Sequence, residues 1–148
     1  MTEPTQTPTE RAAEITERLA KKTDWQGRYR EIIALGRELA PLDDEHRTDK
    51  NKVKGCQSQV WLHPSLEGGT VRYAGDSDAT IVKGLVAIVL HVYSGSTPEQ
   101  ILATPPTFID DIGLSQNLSQ TRSNGLSAMI KQVHMYAAVF RAMAAAQR

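Results

Sequence analysis

Apolar positions along this chain recur first at helical spacing, then in alternation, and then at helical spacing again. Between Arg11 and Leu19, the residues Ala12, Ile15 and Leu19 lie on one face with charges between them, which predicts a short amphipathic helix. A second stripe, Trp25, Tyr29, Ile32, Ile33, Gly36 and Leu39, predicts another helix that Pro41 stops. Thr23 followed by Gln26 reads as its capping box. After a polar connection from Asp43 to Asn51 the period shortens to two, with Gln57, Gln59, Trp61 and His63 opposed to Ser58, Val60 and Leu62. Pro64 and Gly68-Gly69 read as breaks in this run. Thr70–Ala74 is then a returning antiparallel strand, and a short strand near Lys52 makes about three.

Helical spacing returns at Ala79 and continues to about Tyr93, with Ser77 or Asp78 as the predicted cap and Ser94-Gly95 as the stop. Thr97-Pro98-Glu99-Gln100 combines an N-cap, a proline in the first turn and a capping glutamine, so a short helix starts there. Another short helix is expected around Phe108 to Ile112, and Leu114 to Thr121 is rich in hydroxyl and amide groups. The last helix starts near Thr121 or Arg122, with Leu126, Met129, Ile130, Val133, Ala137, Phe140 and Ala144 on one face. A sheet this small is not stable alone, so the predicted class is α+β, with helices packed on one face of a small antiparallel sheet.

Composition narrows the function. A chain of 148 residues is the size of one domain, assigned here to residues 11–148, with residues 1–10 expected to be a disordered N-terminal tail. Seventeen basic residues balance seventeen acidic ones without clustering, so no field is available to hold a nucleic-acid backbone. Ile81 to Tyr93 is the most apolar segment, but it is too short to span a bilayer and contains Lys83 and His91. The first ten residues lack the charge and apolar run of a signal peptide, and a cytoplasmic location is expected.

The single cysteine, Cys56, cannot form an internal disulfide or supply a thiolate metal site, so no metal is expected. Free cysteine is often a small buried hydrophobe. Here, however, it stands among Lys54, Gly55, Gln57, Ser58 and Gln59, as at a turn tip, and both an exposed reactive thiol and an inert one fit that setting. Lys52, Lys54 and Arg122 are candidate cations for a thiolate. No histidine suggests a catalytic dyad: His91 and His134 lie within helices, His46 in a charged loop and His63 before a proline. Asp76 and Asp78 are more simply turn and cap residues than a metal or acid–base pair.

Gly55-Cys56-Gln57-Ser58-Gln59-Val60-Trp61 resembles the signature of the SufE family of sulfur acceptors, which the paralogous CsdE proteins share. The resemblance extends through Gly75-Asp76-Ser77-Asp78-Ala79, Ile81–Leu85, Thr121–Leu126 with Met129-Ile130, and Tyr29 to Gly36 in the second helix. It implies a SufE/IscU-like fold and a thiol, Cys56, that takes persulfide sulfur from a cysteine desulfurase of the SufS or CsdA type. It also implies stimulation of that enzyme and delivery of sulfur to a SufBCD-type scaffold for iron–sulfur cluster assembly. Pyridoxal phosphate then belongs to the desulfurase, and this chain is expected to bind no cofactor and to have no turnover of its own.

By the same resemblance Arg122 supports the thiolate or persulfide, and Gly55, Gln57, Ser58, Gln59 and Asp76 face the partner. A homodimer is left open. A cluster scaffold is not implied, because its cysteine ligands are missing. Two other readings remain open at this point, a desulfurase activator that carries no sulfur and a redox-sensing thiol.

Overall fold

A computed structural model describes residues 6–146 as helices packed around one antiparallel hairpin. Helix α1, Pro8–Ala20, starts three residues earlier than its apolar spacing suggests, because Thr7 and Glu10 form a reciprocal capping box around Pro8. Pro8–Glu10 are therefore helical rather than part of a tail, while residues 1–5 lie outside the described residues. Arg11 fixes this helix to the body. Its buried guanidinium donates to the carbonyls of Gln6, Val92 and Ser94 and to the Ser96 hydroxyl. Helix α2, Trp25–Arg37, is capped by Asp24, which accepts from the Gly27 amide at 2.9 Å, rather than by Thr23. Aspartate one residue nearer the helix reaches the third amide, which the expected threonine does not.

Two 3-10 turns, Asp44–His46 and Asp49–Asn51, lead into the hairpin of β1, Val60–Glu67, and β2, Thr70–Ser77. Gly68 and Gly69, at φ 57° and 83°, make the tight two-residue connection that matches strand twist and that side chains would strain. The sheet has two strands, not about three. Lys52 forms one isolated bridge to Trp61 and the Val53 amide donates to Val60 O at 2.8 Å, but Gly55 at φ 93° then turns the chain away. Pro64 does not end β1; it pairs with Tyr73 within the strand. In a two-stranded sheet every strand has a free edge, where a missing amide costs no ladder bond.

Helix α3, Thr80–Tyr93, is the centre of the core: ten of its fourteen residues are buried, including Leu85, Val86, Ile88 and Val89 at 0% exposure. Each such side chain contributes roughly 1.5–3 kcal/mol by leaving water. Helices α1 and α2, strand β2 and the long C-terminal helix pack on it. The predicted caps do not act as such: Ala79 is the cap residue and has no side-chain oxygen to offer the first turn, while the Ser77 hydroxyl accepts from the Ala79 amide and the Asp78 carboxylate from the Gln59 amide. Helix α4, Pro98–Leu102, carries the predicted Thr97/Gln100 box. Helix α5 is Phe108–Ile112, and the polar stretch after it contains a short helix, α6, Leu114–Asn117. Helix α7, Gln120–Ala146, buries Leu126, Met129, Ile130, Val133 and Ala137; Phe140 is half-buried and Ala144 exposed. No helix among the described residues is long and apolar enough to cross a membrane.

Candidate functional site

Cys56 lies on the loop between the Lys52 bridge and β1, and the first turns of α7 form the opposite wall. The loop is tied down at its ends rather than along its length. Val53 N bonds Val60 O at one closure; at the other the Gln59 amide donates to the Asp78 carboxylate at 3.0 Å and the Asp78 amide returns to Gln59 O at 3.3 Å. Between these closures the one hydrogen bond found is from the Cys56 thiol to Gly125 O, at 3.5 Å, the weak geometry expected of sulfur. Gly125 lies against the sulfur, and a Cβ there would stand 3.4 Å from Sγ, an ordinary van der Waals contact.

The sulfur is half-buried, which settles the placement that the residue pattern had left open. Burial pushes its pKa above that of an ordinary thiol, and no cation offsets the effect. The resting group is therefore the protonated thiol at neutral pH. Lys54 is exposed and Lys52 pairs with Asp49 at 3.7 Å, so neither lowers the thiol pKa as the sequence had suggested.

Cys56 opens onto a cavity of about 410 Å³. Val82 and Leu85 of α3 and Met129 of α7 form its apolar wall, and Gln57, Ser58 and Arg122 line its polar side. Arg122 thus shares the cavity with the cysteine without hydrogen-bonding it. Its guanidinium is exposed and donates to the Tyr29 hydroxyl of α2 at 3.4 Å, so α2 and α7 meet at the rim. Gln57 and Gln59 are exposed, Ser58 is half-buried, and Gly55 is exposed with its α-carbon facing Ala128. No histidine lines the cavity among the described residues. A histidine-based nucleophile has no support here. His46 and His63 stack on each other at 3.6 Å, so His46 is half-buried rather than free in solvent.

Asp76 is placed differently from the surface expected of a partner-facing residue. At 7% exposure it is buried, and it pairs with Arg47 and, at 3.3 Å, with Lys83, while its carboxylate accepts the Ser77 amide at 2.8 Å. Burial alone would push its pKa up; Arg47, the Ser77 amide and Lys83 together outweigh burial and hold it below the usual carboxylate range. Arg47 also lies 5.4 Å from the Trp61 ring, so this cluster clamps the loop before β1 to both strands and to α3. The sequence reading missed three contributors: Gly125 against the sulfur, Asp78 holding the loop, and Tyr29 on Arg122. All three fall in stretches already matched to family blocks, but their pairing is visible only across the fold.

Comparison with known proteins gives consistent matches. The family model described as SufE, Fe-S metabolism associated domain, matches residues 13–137. An uncharacterized SufE-like protein of Rhizobium etli is 50% identical over 121 residues, covering 78% of this chain and 82% of the relative. An uncharacterized SufE-like protein of Synechocystis sp. is 40% identical over 129 residues, covering 87% and 81%. The solution structure of a hypothetical protein from Thermus thermophilus superposes with a TM-score of 0.73 at 21% identity, over 90% of this chain and 96% of that one, a likeness of fold.

Proposed function

Because the chain belongs to the SufE family, whose domain is associated with iron–sulfur metabolism, we propose that Cys56 is a sulfur acceptor and carrier working with a cysteine desulfurase. The observation that carries this reading is the chain's one thiol, set in a lightly held loop beside a part-apolar cavity. In the transfer step the Cys56 thiolate attacks the terminal sulfur of a persulfide on the desulfurase cysteine. The sulfur–sulfur bond of that persulfide breaks, the desulfurase cysteine leaves as a thiolate, and Cys56 keeps the sulfur as its own persulfide. No oxidant is consumed. Pyridoxal phosphate chemistry stays with the desulfurase, and a SufBCD-type scaffold is the proposed recipient.

Two features of the resting state fit this role. A raised thiol pKa and half-burial limit reaction with oxidants and stray electrophiles when no partner is present. The cavity offers Val82, Leu85 and Met129 to shelter an added sulfur, with Arg122 near the rim to counter its negative charge. A solitary thiol also protects the cargo, because a second cysteine nearby would displace it as sulfide and close a disulfide.

The test measures alanine formation by a SufS-type desulfurase with the chain added, in the presence of reductant. Wild type is expected to stimulate turnover and Cys56→Ser to give none above the desulfurase alone. Full stimulation by Cys56→Ser would replace the carrier reading with that of an activator that carries no sulfur.

A further inference from the structure

Beyond its packed half, α7 carries a row of exposed residues spaced four apart: Lys131, Met135, Val139 and Met143. That spacing puts them on one line along the helix. Met135 and Val139 are each 49% exposed and Met143 50%; with Leu66 at the hairpin tip, they are the large hydrophobic side chains exposed among the described residues. Ala142 and Ala146, also exposed, lie along the same line. The body stops supporting the helix before its end, since Ala137 is the last buried residue and 141–146 are exposed throughout. Helical turns with no packing partner are marginal in water.

Charge selects what covers this row. From Gln120 to Ala146 the helix carries Arg122, Lys131 and Arg141 and no aspartate or glutamate. Among the described residues, neither Lys131 nor Arg141 has an ion-pair partner. A second copy laid along the row would bring cation-only helices together. A lipid surface calls for a broad apolar face edged by cations on both sides, whereas the large apolar side chains here form a single row, and as far as Ala137 the opposite side of the helix is packed on α3 and α4.

We propose that the row docks an acidic amphipathic helix of another protein. Apolar side chains of that helix pack between Met135, Val139 and Met143, and a carboxylate sits beside Lys131. Methionine suits such a seam because its unbranched side chain adapts to its neighbour, and helix-on-helix docking through i, i+4 anchors is a recurrent recognition mode. At 1.5 Å per residue, Met135 lies about 15 Å and Met143 about 27 Å along the axis from Gly125. A partner here leaves the Cys56 cavity open, so two proteins can be held at once, and the inference stands whether or not Cys56 carries sulfur.

Methionine-methyl NMR of the full chain tests it, using two stapled helical peptides with the same leucine face and either glutamate or lysine elsewhere. The expected result is a saturable shift of the Met135 and Met143 methyls with the glutamate peptide alone, with buried Met129 unmoved. Raising the salt should weaken it, and Val139→Glu should abolish it. The proposal is overturned if the glutamate peptide moves neither methyl or if both peptides act alike. It is also overturned if the shifts follow protein concentration with a doubling of mass, or arise only with anionic lipid vesicles.

Discussion

Gly84 and Gly125, both on helices, differ in what an added Cβ would meet, and the difference separates a tightly packed scaffold from a lightly held site. At Gly84, in the middle of α3, an added Cβ would meet the Ile32 carbonyl oxygen at 2.3 Å and the Ile32 side chain at 2.6 Å. Gly36 of α2 faces the backbone of Gly84 in turn, with a Cβ there 2.8 Å from the Gly84 nitrogen. Two helices cross backbone to backbone, and neither side has anything to move. At Gly125 the neighbour is the Cys56 sulfur at 3.4 Å, an ordinary contact with a side chain on a loop. The fold thus spends its tightest packing on α2 and α3 and leaves the thiol loop with end closures and one weak bond.

The largest expected difference comes from putting alanine at each position. Gly84→Ala forces backbone apart and should cost roughly 3 kcal/mol or more, while Gly125→Ala should cost under about 1 kcal/mol. Urea denaturation of the two variants measures this, and similar losses would erase the distinction.

Next in size is the acid sensitivity of the clamp around Asp76. Its folded pKa lies below the unfolded value of about 3.9, so its stabilisation is fully present above that value and is lost as pH falls through the folded pKa. Asp76→Asn should be less stable than wild type at neutral pH, because Arg47 and Lys83 lose their anion. The gap between the two should narrow on acidification below about pH 4. Thermal melts from pH 6 to pH 3 measure both, and a constant gap would place the pH dependence elsewhere.

A smaller, local effect is expected at the loop. Asp78→Ala removes the carboxylate that holds the Gln59 amide. The rate at which Cys56 is alkylated by iodoacetamide should rise by about tenfold, equivalent to about 1.4 kcal/mol in loop opening, with little change in melting temperature. In wild type the same reaction should have its pH midpoint above that of a free thiol, because burial disfavours the thiolate. The smallest effect is at the rim: Tyr29→Phe removes one exposed hydrogen bond to Arg122 and should slow sulfur acceptance by no more than a few-fold. Arg122→Gln should slow it further without loss of stability.

The scaffold was more legible in the sequence than the site, for physical reasons. Local signals that a chain satisfies within a few residues were readable: the Gly68-Gly69 connection, the Thr97/Gln100 cap and the stripes of α2 and α7. The errors came where a distant partner decides. Asp78 has the composition of a cap, but the Gln59 amide, 19 residues away, takes its carboxylate. Asp76 looked like a turn residue open to a partner until Arg47 and Lys83 closed over it. Pro64 reads as a strand breaker only if its edge is paired. The polar neighbours of Cys56 left its exposure undecided, because burial is imposed by Gly125 from 69 residues away. What carried the functional reading was the Gly55–Trp61 motif and its match to the SufE family.

The measurement that tests the central claim most directly is intact-protein mass spectrometry after incubation with a SufS-type desulfurase, its pyridoxal phosphate and free cysteine, without reductant. The account predicts a gain of one sulfur atom, about 32 Da, that is removed by reductant and absent from Cys56→Ser. An unchanged mass beside a desulfurase shown to be active on cysteine would contradict it.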